Sequence, residues 1–295
     1  MERKIIFSLP GNQELTQSLA QKLKIEQGEA EIRSFPDGES YIRIHSEVKN
    51  KTAILICTLN HPNAKILPLI FMARTLKELG TKKLCLICPY LPYMRQDKQF
   101  HTGEAISAVL FAQLISNYFD YMITMEPHLH RIHELSEIYT LSKVLTVHAT
   151  RKISQWVANH IKQPLLIGPD AESRLWVSAI ADEQNLPFII GEKQRLGDRK
   201  VIITLPEIKN LGQTPVLVDD VISTGVSMLA VLKQVQFLGF KEAICIGVHA
   251  LFDQKTEHRL FSAGAAQIIS CNTIIHKSNE IDISDLLAQG VVSLG

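Results

Sequence analysis

Asp219 and Asp220 stand side by side behind an apolar run, and after Val221-Ile222 the chain continues Ser223-Thr224-Gly225-Val226-Ser227. Residues of these types in this order suit the holding of a phosphorylated sugar. A strand that ends in acids and turns through small hydroxyl residues into a helix offers the unpaired N–H groups of the helix N-terminus to a phosphate. Ser223, Thr224 and Ser227 add hydroxyl donors. The two carboxylates can hold ribose hydroxyls, directly or through Mg2+. Adjacent acids closing a buried strand are costly unless they bind something.

Five other stretches carry polar groups at loop positions. RSFPDGE (33–39) contains the turn signal Pro36-Asp37-Gly38, since Pro fixes φ and Gly admits the left-handed conformation. Phe35, Asp37 and Glu39 could give an adenine a flat apolar face and acceptors for its amine. The same residues also read as the tip of an ordinary hairpin between strands at 29–34 and 41–45. CPYLPYMRQDK (88–98) places Arg95, Gln96, Asp97 and Lys98 in a row after a strand, where open α/β sheets bind ligands. Arg95 could engage phosphate or ribose oxygens, or the stretch is a solvated loop. In MEPHLHRIH (125–133), Glu126, His128, His130 and His133 cluster behind another apolar run. An octahedral Mg2+ seldom takes more than one imidazole, and a zinc site needs more geometry than this string shows. One histidine is therefore expected near a metal–phosphate and the others at the surface. Asp170 in IGPDAESR (167–174) follows a strand and precedes a helix. Lys193 and Arg195 in GEKQRLGDRK (191–200), with Gly191 and Gly197 nearby, suit a mobile lid over phosphates, or a plain charged connection.

Positioning these groups requires alternating strands and helices. Apolar runs at 5–9, 53–58, 83–88, 121–125, 164–168, 201–205, 215–219 and 243–249 read as strands. Helical patterns cover 12–24, 64–79, 104–116, 148–160, 175–184 and 226–238, the first with Asn12 as N-cap. The alternation predicts an α/β fold, and 295 residues suit two domains, here 1–145 and 146–295. Segments 54–87 and 216–247 share the order strand, loop, helix, Leu-Gly and strand, so the halves read as two copies of one unit. Only the second copy has the acidic pair and hydroxyl loop. The first has TLNHPNAK in that place and is expected to serve a second substrate's pocket.

Net charge is +1 and no long basic run occurs, so an electrostatic nucleic-acid footprint is missing. No apolar run reaches the roughly 18 residues of a membrane span, and the one near the N-terminus is too short for a signal peptide. Five cysteines in so long a chain suggest reduced thiols and a cytoplasmic location. Cys85 and Cys88 form a C-x-x-C, but side chains three apart on a strand face opposite sides, which argues against a metal or redox pair.

Taken together, the motifs resemble those of the ribose-phosphate pyrophosphokinase family over nearly the full chain. RSFPDGE, PYLPYMRQDK, GEAIS, EPHLH, GPD, EKQR and VDDVISTG occur in the family's order at family-like separations. The EPHLH, EKQR and STG forms are closer to its archaeal-like branch. The resemblance implies two similar phosphoribosyltransferase-like domains, each a mainly parallel sheet flanked by helices, in a homo-oligomer. It implies transfer of the pyrophosphoryl group of MgATP to O1 of ribose 5-phosphate, releasing AMP. By motif, Phe35, Asp37 and Glu39 would contact adenine across a subunit interface, and Arg95, Gln96 and Asp97 would line the ATP pocket. His128 and Asp170 would hold Mg2+. Asp219 and Asp220 would hold the ribose, and Ser223, Thr224, Gly225, Val226 and Ser227 its phosphate. Lys193 and Arg195 match the family's mobile catalytic pair and would stabilise charge on the transferred group and the departing AMP.

The chain departs from the family pattern in places. Ala171-Glu172-Ser173 follows Asp170 where a glycine soon follows, Val226 replaces a common glycine, Ser227 a common threonine and Lys98 a frequent arginine. Two other functions share part of the pattern. A phosphoribosyltransferase would need the hydroxyl loop but not RSFPDGE, RQDK or the basic pair. A non-catalytic regulatory homologue would be marked by loss of that pair, which this chain keeps.

Overall fold

A computed structural model describes residues 3–195, 201–208 and 212–294. The chain divides into two compact units, Met1–Val147 with Ser284–Gly295, and His148–Ile283. The first contains β1 (Lys4–Ser8), α1 (Gln13–Leu23), β2 (Glu26–Gln27), β3 (Ala30–Ser34), β4 (Ser40–Ile44), β5 (Thr52–Ile56), α2 (Asn63–Glu78), β6 (Lys83–Cys88), α3 (Ser107–Ser116), β7 (Tyr121–Met125) and β8 (Lys143–Val147). Its sheet has the order β2-β1-β5-β6-β7-β8, and all its pairings are parallel. Strands of such a sheet are covered on both faces and need no polar alternation; β5 is buried at every position. Phe7, Leu55 and Leu86 share a core with Leu69 and Met72 of α2 and Phe111 of α3. Strands β3 and β4 stand apart as an antiparallel ribbon, from Ala30↔Ile44 to Ser34↔Ser40.

The second unit contains α4 (Thr150–His160), β9 (Pro164–Gly168), α5 (Arg174–Asp182), β10 (Phe188–Ile190), β11 (Glu192–Arg195), β12 (Val201–Thr204), β13 (Thr214–Ile222), α6 (Val226–Phe237), β14 (Ala243–Ala250), α7 (Gln254–Ser262), β15 (Ala265–Cys271) and β16 (Asn279–Ile281). The sheet order is β10-β9-β13-β14-β15-β16, again parallel throughout. An antiparallel ribbon, β11–β12, is again set between the second and third long segments of the chain. The two units therefore repeat one topology, as the internal similarity predicted, and the ribbon carrying Phe35 at its tip is the counterpart of the ribbon carrying Lys193 and Arg195.

The structure changes several expectations. The strand expected over 215–219 extends to Ile222, because Val221 and Ile222 continue the pairing, with His249 and Ala250. The acidic pair thus lies inside β13 rather than at its end. The helix expected from 104 begins at Ser107, since Glu104 turns back to accept from Phe100 N and His101 N. Asn12 occupies the N-cap position of α1, but its amide donates to Leu9 and Pro10 carbonyls and its oxygen accepts from Thr58 N. The last helix, α8 (Ser284–Ser293), belongs to the first unit and not to the second, where a division at 145/146 put it. Its Gly290 lies close against Ile123 and Leu145, Lys143 Nζ donates to Ser293 O at 2.6 Å, and Lys22 pairs with Asp285. All five cysteines are buried. Among the described residues, no helix is long and apolar enough to cross a membrane.

Candidate active site

In the second unit the predicted sugar site assembles at the carboxyl ends of two neighbouring strands, β9 and β13. Asp170 follows β9 and opens a single 3-10 turn, Ala171–Ser173. Its carboxylate accepts from Ser173 N at 3.2 Å while Asp170 N donates to Ser173 Oγ at 3.4 Å. This capping box explains the departure at 171–173: Ser173 sets the Asp170 side chain, and Glu172 is exposed. Asp219 and Asp220 lie half-buried on β13, with Asp220 N donating to Asp219 Oδ1 at 3.1 Å. Loss of water around Asp219, the negative charge and side-chain contact of Asp220, and the charge of Asp170 all push the Asp219 carboxyl well above its usual range. The charges of Asp220 and Asp170 thus both bear on Asp219, and oxygen donors of this kind suit sugar hydroxyls and a hydrated divalent cation. Among the described residues no group of three or more His, Cys, Asp and Glu side chains is placed to hold a metal ion. Mg2+ does not need such a group, since it usually keeps waters and takes one or two carboxylates together with substrate oxygens.

The chain leaves β13 through Ser223 and Thr224, and α6 begins at Val226 with no side-chain cap. Gly225 takes φ +69°, and a Cβ there would come within 2.9 Å of Thr256 Cγ2. The left-handed position of the loop is thus Gly225. Val226 is already helical, so its replacement of glycine costs the loop no conformation. The first bond of the helix is Leu229 N to Gly225 O at 2.8 Å, which leaves the preceding N–H groups facing the loop. Gly225→Ala is expected to weaken ribose 5-phosphate binding at least tenfold and to lower stability by about 1–3 kcal/mol. Calorimetry and a thermal melt check this; wild-type affinity in the variant would remove Gly225 from the cradle.

Lys193 and Arg195 lie on β11, in register with Ile203 and Val201 of β12. Gly191 at the base of this ribbon is closely packed: a Cβ there would meet Ile203 Cγ2 at 2.7 Å and Pro169 O at 2.8 Å. The rest of the expected lid, including Gly197, lies outside the described residues.

In the first unit a cavity of about 240 Å³ opens at the carboxyl ends of the adjacent strands β6 and β7. Arg95, Gln96 and His128 line it together with Tyr93, Met94 and Ser107. His130 and His133 are exposed. Tyr93 and Glu126, flanking the cavity in sequence, hold φ of +66° and +34°, a strain that non-glycine residues keep mainly where surroundings or function demand it. Asp97 does not line the cavity. Its side chain is 2% exposed and is gripped by Arg131, through NH1 at 3.0 Å and the backbone N–H at 3.1 Å. Burial pushes the Asp97 carboxyl up, but Arg131 outweighs it and leaves the group below its usual range. Asp97 thus joins the RQDK loop to the EPHLHR loop. Arg131 and Glu104, the residues that fix Asp97 and Gln96, were not singled out as site residues from sequence. The signal for both was their place inside the GEAIS and EPHLHR stretches.

TLNHPNAK occupies the place that the hydroxyl loop takes in the second unit. Lys65 Nζ donates to Thr58 O at 2.8 Å and also to Asn60 Oδ1, so the loop is closed by its own cation. Asn63 binds the Tyr93 hydroxyl, tying this loop to the cavity wall. RSFPDGE forms a hairpin tip, with Phe35 N donating to Glu39 O at 2.7 Å. Phe35, Asp37 and Glu39 are all exposed there, and the Arg33 guanidinium lies 4.8 Å from the Phe35 ring and 4.1 Å from the Tyr41 ring.

Paired parallel-sheet units, one ending in an acidic strand and an uncapped helix, define a phosphoribosyltransferase-type protein. Residues 4–118 match the model for the N-terminal domain of ribose phosphate pyrophosphokinase, and residues 137–285 match a phosphoribosyl transferase domain. A ribose-phosphate pyrophosphokinase of Saccharolobus solfataricus is 33% identical over 93% of this chain and 95% of its own. One of Methanobrevibacter smithii is 27% identical over 96% of this chain and 98% of its own. A crystal structure of phosphoribosylpyrophosphate synthetase from Mycobacterium smegmatis shares the fold, with TM-score 0.86 and 22% identity over 99% of both chains. The chain belongs to the ribose-phosphate pyrophosphokinase family, which makes it a pyrophosphoryl-transferring enzyme with archaeal relatives.

Proposed function

We propose that this chain transfers the β,γ-pyrophosphoryl group of MgATP to O1 of ribose 5-phosphate, giving 5-phosphoribosyl 1-pyrophosphate and AMP. The observation that carries the reading is the acidic strand β13 running through Gly225 into an uncapped α6. Asp219 and Asp220 hold the ribose hydroxyls, and the hydroxyls and N–H groups of Ser223, Thr224, Gly225, Val226 and Ser227 hold the 5-phosphate. Arg95 and Gln96 take the nucleotide in the cavity of the first unit, while Phe35, Asp37 and Glu39 present an exposed ring and acceptors to the adenine bound by a second copy. Asp97 acts by fixing its loop through Arg131.

Asp170 on the sugar side and His128 on the nucleotide side would hold Mg2+, which would supply charge neutralisation to the phosphate oxygens. O1 attacks the β-phosphorus, the bond from that phosphorus to the α–β bridging oxygen breaks, that oxygen leaves with AMP, and the O1 proton passes to solvent. Lys193 and Arg195 stabilise the charge on the transferred group and on AMP. Incubation with MgATP and ribose 5-phosphate is expected to yield AMP and the pyrophosphorylated sugar in equal amounts. ADP in place of AMP, or no product with both substrates bound, would refute the reading.

A further inference from the structure

Gln96 lines the first-unit cavity with its side-chain amide already committed. Its Nε2 donates to Glu104 Oε2 at 3.0 Å and to Lys98 O at 3.1 Å. A carboxylate and a carbonyl only accept, so both must face the NH2 end of the amide; the opposite orientation would set oxygen against two oxygens. Both amide protons are spent, and Oε1 is the one hydrogen-bonding atom Gln96 keeps for a ligand.

Glu104 is itself anchored. Its Oε2 also accepts from Phe100 N at 2.7 Å and His101 N at 3.0 Å, and Gly103 at φ +89° turns the loop that returns it to Gln96. The N–H groups of His101 and Phe100 hold its carboxyl below the usual range, so it remains an ionised acceptor at neutral pH. Lys98 contributes its backbone carbonyl here, which makes its replacement of arginine immaterial to this contact.

We propose that Glu104 is a positioning residue that makes Gln96 an obligate acceptor, so that the cavity selects a ligand donor, an amine or a hydroxyl of the nucleoside, at that point. The inference rests on the reading of this cavity as the ATP pocket. It leaves Arg95, not Gln96, to meet phosphate oxygens, because an acceptor cannot bind an acceptor.

Titration calorimetry with MgATP, together with steady-state kinetics, tests it. Glu104→Leu is expected to raise KM for ATP about tenfold, with KM for ribose 5-phosphate and kcat near wild type, and Glu104→Gln, which keeps an acceptor oxygen, to restore most of the affinity. In a Gln96→Ala background, Glu104→Leu should add less than about twofold, since contacting residues that act through one another are non-additive. A second arm compares ATP with 2′-deoxy-ATP, 3′-deoxy-ATP and purine riboside 5′-triphosphate, each lacking one nucleoside donor. In wild type one analogue should bind about tenfold more weakly than ATP, and in Gln96→Ala that gap should close. Additive losses in the double variant, or gaps unchanged in Gln96→Ala, would overturn the inference while ATP binding itself stands. If Glu104→Leu does not fold, Glu104→Met takes its place in both the affinity and the double-variant measurements, since it too removes the carboxylate from the Gln96 amide. Absence of any MgATP binding to wild type would overturn the pocket reading and the inference with it.

Discussion

Lys193→Ala is expected to lower turnover by about 10²–10³ while ribose 5-phosphate affinity stays within about twofold of wild type. The direction follows from where the residue acts. Pyrophosphoryl transfer develops charge on the moving group and on the leaving AMP, and a cation meeting that charge lowers the barrier more than it tightens the ground state. In the proposed site the sugar is held elsewhere, on β13 and the start of α6, so its binding is expected not to depend on β11. Steady-state release of AMP reads the first effect and calorimetry with ribose 5-phosphate the second. Wild-type turnover in the variant would remove Lys193 from the reacting groups. A matching fall in sugar affinity would place it in the sugar site.

Asp219→Asn combined with Asp220→Asn produces the opposite pattern. Each carboxylate hydrogen-bonded to sugar or to a hydrated cation contributes about 1.5–3 kcal/mol, so the pair is expected to cost ribose 5-phosphate affinity on the order of 10²-fold or more. The same change stabilises the free protein. The folded state raises the Asp219 carboxyl above its ordinary range through lost hydration and the charges of Asp220 and Asp170. The folded protein therefore binds that proton more tightly than the unfolded chain. Stability falls as pH rises from the unfolded to the folded pKa, and the penalty is complete above the latter. Asparagine mimics the protonated form and removes the penalty at neutral pH, by roughly 1 kcal/mol for sites that trade stability for function. A thermal melt of the variant above the wild-type midpoint, together with lost sugar binding, is the expected pair of results. Unchanged affinity would take both acids out of the site.

Much of the fold was legible because its strands are buried on both faces and read as continuous apolar runs. Lys83–Cys88, Tyr121–Met125 and Pro164–Gly168 have the same limits in sequence and structure. The duplication was visible in one strand-loop-helix segment per half, and the identical sheet orders extend it across both units. Short edge elements escaped notice because they carry little apolar signal: β2 is two exposed residues and β10 only three. The destination of α8 was not readable either, since an amphipathic helix at the end of a chain shows that it packs but not against which sheet.

At the site, motif positions told which residues stand near a ligand, but not which of their atoms are already committed. Asp97 reads as one more polar residue in RQDK; only three dimensions bring Arg131 onto it. The reverse holds at Val226, where the sequence departs from pattern and the structure shows that the conformational demand falls on Gly225 instead.

The central claim is that O1 of the sugar is the nucleophile and the β-phosphorus its target. Ribose 5-phosphate labelled with ¹⁸O at O1 tests it most directly. With MgATP and the enzyme, phosphorus NMR should show the heavy oxygen retained in the bridge between sugar carbon and pyrophosphate, with none in AMP. Loss of the label from that bridge would mean displacement at the sugar carbon and would contradict the claim.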